Sequence, residues 1–150
     1  MPSTSKGTIV ICASNHDRAT AISYKCALYT IDHAVNNGWK IIRLLETRAN
    51  PEEVMAALAQ PGVVGFDGYG HGEEDVFYGE VDGKRTGVLY HIESPTPARW
   101  VMASNIDLLF QKGGDLLACL TGSRVGPAAI GRGSRFQVGF NNVVFVFDTL

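Results

Sequence analysis

Long apolar runs are missing from this sequence. No stretch approaches the roughly 20 apolar residues that span a bilayer, and the polar start Met1-Pro2-Ser3-Thr4-Ser5-Lys6 lacks the apolar centre of a secretory signal. Excess basic charge is missing as well. Thirteen Lys and Arg against 15 Asp and Glu leave a formal net charge of -2, with the basic residues scattered, so neither nucleic acid nor an anionic membrane is expected as a partner. Cysteine is scarce: Cys12, Cys26 and Cys119 form no CxxC metal pair and no even disulfide framework, which fits a reducing compartment and a soluble, cytoplasmic protein. His16, His33 and His91 show no metal-site spacing, and the glycine-rich stretch from Gly122 to Gly133 lacks the Lys-Ser/Thr of a phosphate loop. Neither metal nor cofactor is expected.

Apolar residues are plentiful, at 45% against 19% charged, which excludes a disordered chain. One domain over residues 1-150 follows, long enough to bury roughly two-thirds of the surface of its unfolded chain. Thr8 to Ala13 is β-branched and apolar on both faces, as a central parallel strand requires. The polar loop Asn15 to Arg18 leads to helical spacing over Ala19 to Asn37, closed by Gly38 as C-cap. A second strand spans Lys40 to Glu46. Asn50-Pro51-Glu52-Glu53 then opens a helix to about Gln60, and Pro61-Gly62 breaks it before a third strand climbs from Val63 towards His71. Asp82-Gly83 predicts a hairpin between Val76-Tyr78 and Val88-Tyr90. Helical spacing is expected over Ala98 to Gln111, with Val101, Ile106, Leu108, Leu109 and Phe110 buried and Gly113-Gly114 ending it. Strand four is read at Asp115 to Leu120, a short helix at Pro127 to Ile130, strand five at Phe136 to Phe140, and a last extended run at Val143 to Phe147. The fold class expected is α/β, a three-layer sandwich around a mostly parallel twisted sheet in flavodoxin-like order, with a small hairpin after strand three.

Strands three and four end in His71 and Cys119, 48 positions apart. Parallel neighbouring strands bring their carboxyl ends to one rim, where a thiol, mostly protonated at neutral pH, profits from an imidazole that takes its proton. Gly72 lets backbone N–H groups approach a substrate, so the Gly72 and Cys119 amides are candidate oxyanion donors.

The caspase nucleophile motif, Gln-Ala-Cys-[Arg/Gln/Gly]-Gly with a histidine about 50 residues upstream, has nearly this layout. The run His71 to Gly79, continuing through Asp82-Gly83, resembles the segment after the catalytic histidine of caspases, and Leu116-Leu117-Ala118-Cys119 resembles their nucleophile strand. Ala118 to Gly122, followed by Ala128 to Phe140, is similar to the gingipain and CHAT branches of the same clan. The resemblance spans about residues 7 to 140, with only the His-Gly and Ala-Cys blocks distinctive. It implies a caspase-like fold and a cysteine endopeptidase acting on a peptide or protein, with His71 as base, Cys119 as nucleophile and the Gly72 and Cys119 amides as oxyanion donors. Substrate contacts are expected at Arg18, in the region that supplies a P1-pocket arginine in caspases, and at Glu73, Leu117 and Thr121.

Three departures bear on this. Leu117 stands where caspases have Gln and many Arg- or Lys-specific relatives have Asp, which argues against a basic P1 preference. The glycine after the nucleophile comes only at Gly122. Relatives continue past strand five with a further helix and often another strand, so an incomplete substrate wall is expected, either completed by a partner subunit or left open with turnover lost; separately, the last run with Phe145 and Phe147 reads as a sheet edge or an oligomer contact, which points to a homodimer. The rival expectation is a catalytically silent domain of the same fold that acts as a regulatory or binding module; a more distant one is a flavodoxin-like small-ligand binder.

Overall fold

The computed structural model describes residues 6–96 and 99–140. Five parallel strands form the central sheet: β1 (Thr8–Ala13), β2 (Lys40–Leu45), β3 (Val63–Tyr69), β8 (Gly113–Leu117) and β9 (Phe136–Val138), in the order β2-β1-β3-β8-β9. β1 is flanked by parallel neighbours on both sides, and its Val10, Ile11, Cys12 and Ala13 are all 0% exposed, which is why that segment is apolar without alternation. Numbered among themselves the parallel strands run 2-1-3-4-5, the doubly wound order. The chain leaves β1 for one side and returns on the other, so the switch point lies at the carboxyl ends of β1 and β3.

Helix α1 (Arg18–Asn36) covers one face, packing Ala27 and Ile31 on Ile11, Ala13 and Tyr69, while Thr30 shares a 2.7 Å hydrogen bond with the Tyr69 hydroxyl. The opposite face holds α2 (Pro51–Leu58), α3 (Val125–Gly131) and an antiparallel ribbon. Val54, Leu58, Phe77, Leu89, Val125 and Ala129 meet Val10, Phe66 and Leu116 there. Phe66 and Phe77 are fully buried and stand edge to face, 6.0 Å between ring centres at 80°; each burial contributes on the order of 2–3 kcal/mol. The three-layer α/β reading therefore holds. Among the described residues no helix is long and apolar enough to cross a membrane.

The ribbon consists of β4 (Gly72–Glu73), β5 (Val76–Val81), β6 (Lys84–Thr96) and β7 (Arg99–Ser104). Asp82 and Gly83, with φ of 51° and 71°, make the expected hairpin turn. The helix expected over Ala98 to Gln111 does not form. β6 instead runs on to Thr96 and pairs with β7, and a short 3-10 turn follows at Ile106–Leu109. The apolar set explains this: Val101 and Ile106 are five apart with Ser104-Asn105 between them, which leaves no continuous helical stripe. Asn105 takes its side chain to the strand, accepting from Tyr90 N–H at 2.8 Å and donating to Val88 C=O at 2.6 Å. Ile106 and Leu109 are buried as expected, but Phe110 is 56% exposed. Gly113 and Gly114 do not stop a helix; they open β8, because the Phe136 and Gln137 side chains of β9 lie where a Cβ would stand. The extended run read at Val143 to Phe147 lies outside the described residues.

The turn after β2 packs directly on the ribbon. A Cβ on Gly79 would overlap the Ala49 carbonyl and lie 2.8 Å from Val88 Cγ2, while the neighbouring Glu80 N–H donates to that same carbonyl at 2.7 Å. Gly79→Ala is expected to lower stability by about 2–3 kcal/mol through overpacking, read as a lower urea midpoint. A change under about 0.5 kcal/mol would show that this turn yields.

Asp67 of β3 and Asp115 of β8 are register partners, on the α1 side by strand alternation. Burial, and then the charge of Asp115, push the Asp67 carboxyl up to about 6; burial also raises Asp115. Between the unfolded value near 4 and about 6 the folded chain binds more proton than the unfolded one, so this group's contribution to stability falls as pH rises through that window. Asp67→Asn is expected to raise stability at pH 7 by about 1–2 kcal/mol and to leave it nearly unchanged below about pH 4, measured by urea unfolding across pH.

Candidate active site at the ends of the central strands

The loop after β1 is held from below. Ser14, 1% exposed, donates its N–H to Tyr69 C=O at 3.3 Å, and Asn15 N–H donates to Oε1 of the buried Glu80 at 2.7 Å, tying the loop to the ribbon. Asp17 then caps α1. Its Oδ1 accepts the Thr20 N–H at 2.8 Å, and the Thr20 hydroxyl oxygen accepts the N–H groups of Asp17 and His16 at 3.0 and 2.9 Å, a reciprocal capping box. One carboxylate oxygen is thereby spent on the helix. The other, Oδ2, accepts His71 Nε2–H at 2.6 Å from 54 positions away in the chain.

His71 follows β3 after a single glycine. A Cβ on Gly70 would lie 2.8 Å from Ser14 Oγ and 2.9 Å from Tyr78 C=O, so only glycine lets the chain through between the β1 loop and the ribbon. Partial burial works to raise the Asp17 carboxyl, but the Thr20 amide, the hydrogen bonds from His71 and Thr20, and the charge on His71 outweigh it and hold the group well below the usual carboxylate range. Asp17 is therefore a settled anion at neutral pH. With Nε2 committed to it, Nδ1 is the His71 nitrogen left to exchange a proton with a neighbour.

Cys119 lies two residues past β8, in a turn. β3 and β8 pair through Tyr69 and Leu117, so His71 and Cys119 follow matching strand ends. Both line one cavity of about 50 Å³, whose other walls are Ala19, Thr20 and Ser23 of α1 with Gly70, Leu117 and Ala118. Gly72 presses onto the same turn. A Cβ there would come 2.6 Å from Cys119 C=O and 2.8 Å from Ala118 Cβ, so the two proposed oxyanion amides belong to segments in close backbone contact. Leu120, next after the cysteine, has φ of 60°, a left-handed conformation that costs a non-glycine residue about 1–2 kcal/mol. Strain of this kind collects at functional turns.

Of the expected substrate contacts, Leu117 is in the cavity wall. Arg18 is exposed on the first turn of α1, and Glu73 is exposed and accepts the Tyr78 hydroxyl at 3.1 Å; neither lines the cavity. Thr121 is corrected: it is 0% exposed, and its hydroxyl donates to Ala118 C=O at 3.2 Å, so it holds the cysteine turn and does not face a substrate. Cys12 is fully buried and burial pushes its thiol far up; Cys26 is half-buried on α1.

Asp17 is not among the site residues expected from the sequence, and His16 is expected there only as a histidine without metal-site spacing. The Asp17-x-x-Thr20 spacing ahead of an apolar helix was the legible signal for the cap; nothing in the order of residues announced the bond to His71. Together His16, Asp17 and His71 present three potential metal donors within 4.8 Å of one another, against the expectation of no metal-type cluster. No protein-family model, curated protein or solved structure matches this chain.

Proposed function

We propose that this domain is a cysteine peptidase of caspase-like design, with Cys119 as nucleophile, His71 as its base and Asp17 as the carboxylate that orients His71. One observation carries the reading: His71 and Cys119, far apart in sequence, line the same small cavity beyond the carboxyl ends of parallel strands. In the reaction His71 takes the proton of the Cys119 thiol, and the thiolate attacks the peptide carbonyl. The oxyanion that forms accepts the N–H groups of Gly72 and Cys119. Collapse breaks the C–N bond, and His71 returns the proton to the leaving amine. Water, deprotonated in turn by His71, then frees the acyl group from Cys119. Asp17 fixes which nitrogen of His71 faces the thiol.

A silent binding domain of the same fold is the competing reading, and the tightness of the cavity speaks for it. A peptidyl acyloxymethyl ketone separates the two. Attachment at Cys119, lost in His71→Ala, supports the peptidase; a panel of such ketones that leaves Cys119 unmodified sinks it.

A further inference from the structure

We infer that His16, Asp17 and His71 form a binding site for one zinc-type divalent cation, and that this cation switches off the His71/Cys119 pair by occupying His71. The second half rests on the reading of His71 as the base for Cys119; the first stands on geometry and donor chemistry. Asp17 Oδ2 lies 2.6 Å from His71 Nε2 and 3.6 Å from His16 Nε2. Donors bound at about 2.0–2.1 Å around a tetrahedral zinc ion stand about 3.3 Å apart, between those two separations, and all three donor atoms lie within 4.8 Å of one another, so side-chain shifts on the order of 1 Å seat the ion. Two imidazoles and a carboxylate suit zinc, whereas magnesium and calcium ask for an all-oxygen shell.

His16 is held loosely by hydrogen bonding for so enclosed a side chain. It is only 9% exposed, yet its Nδ1 is buried with no hydrogen-bond partner among the described residues, while Nε2, the nitrogen that faces the trio, stands 3.6 Å from Asp17 Oδ2, too far for a hydrogen bond. Buried polar groups are rarely left so. The ring stands 5.5 Å from that of His71, tilted by 56°, with Asp17 between them. Thr20 holds two of the three ligands at once, through the His16 amide and the Asp17 carboxylate, so the site does not have to be assembled on binding. Asp17 is exposed and His71 partly so, which gives an ion access from solvent.

The consequence for the pair follows from imidazole chemistry. Zinc takes the place of the proton between His71 Nε2 and Asp17 Oδ2, and that proton moves to the ring's other nitrogen, Nδ1. An imidazole with metal on one nitrogen and hydrogen on the other has no basic nitrogen with which to take the thiol proton. Zinc on this trio therefore stops the chemistry reversibly, without touching the sulfur.

The test titrates the full chain with zinc by calorimetry and with cobalt(II) by visible absorption, and measures iodoacetamide labelling of Cys119 with and without zinc. One zinc per chain is expected, retained in Cys119→Ala and weakened by about 10-fold or more in both His16→Ala and His16→Gln, each checked for folding by circular dichroism. Saturating zinc should slow wild-type labelling by about 10-fold or more, with the effect lost in the His16 variants at the same zinc concentration. No binding up to about 1 mM, equal affinity in the His16 variants, loss of binding in Cys119→Ala, or binding without slower labelling each overturns the inference. Slow Cys119 labelling in metal-free protein counts against the peptidase reading instead, and calorimetry still decides the cation site.

Discussion

Replacing His71 with alanine should slow alkylation of Cys119 at neutral pH by about 10-fold or more, because the thiolate is the nucleophile and the thiol then loses the neighbouring base that takes its proton. Peptide turnover should fall further, by about 10³-fold or more, since the same imidazole must also protonate the leaving amine and activate water. Cys119→Ala should remove both signals. Two internal controls come with the chain. Cys12 is fully buried with its thiol raised by burial, and Cys26 is half-buried on α1 outside the cavity, so mass spectrometry of alkylated peptides compares three sulfurs in one sample. A wild-type Cys119 that reacts no faster than Cys26 would falsify the dyad.

Changing Asp17 to asparagine separates its two duties. The carboxylate uses Oδ1 for the cap of α1 and Oδ2 for His71, while an amide has a single acceptor oxygen. Asparagine caps about as well as aspartate, so stability should change by less than about 0.5 kcal/mol while the amide N–H₂ turns towards His71. That forces Nε2 to accept and moves the ring proton to Nδ1, the nitrogen needed as base. Turnover should drop by about 100-fold in a protein that unfolds almost like wild type. Asp17→Ala should lose the cap as well, about 1 kcal/mol in urea unfolding. An Asp17→Asn protein with wild-type turnover would mean that the 2.6 Å contact is structural only.

Much of this architecture was written locally. The buried strand Thr8 to Ala13, the Asn50-Pro51 cap and the Asp82-Gly83 turn each follow from a few adjacent residues, and the structure has all three. The exception lies between Ala98 and Gln111, where prolines upstream and a loosely spaced apolar set looked helical, while pairing with β6 took precedence. Gly113 and Gly114 misled for a related reason: their use is to lie beneath side chains of β9, a partner that sequence order does not reveal. At the site, His71 and Cys119 could be found because glycine and small residues mark strand ends. Asp17 could not be connected to them, since its bond to His71 depends on how the β1 and β3 loops meet across the switch point.

The ribbon has a role beyond covering one face. Glu80 holds Asn15, the Tyr78 N–H holds the His71 carbonyl at 3.0 Å, and the Glu74 carbonyl receives the Val125 N–H from the helix after the cysteine turn, also at 3.0 Å. The loops bearing Asp17, His71 and Cys119 are thus moored to one antiparallel framework that carries none of the three itself. The mutual placement of these three side chains is inherited from the docking of that framework, so a ligand that pries the ribbon away by a fraction of an ångström displaces all three without approaching any of them.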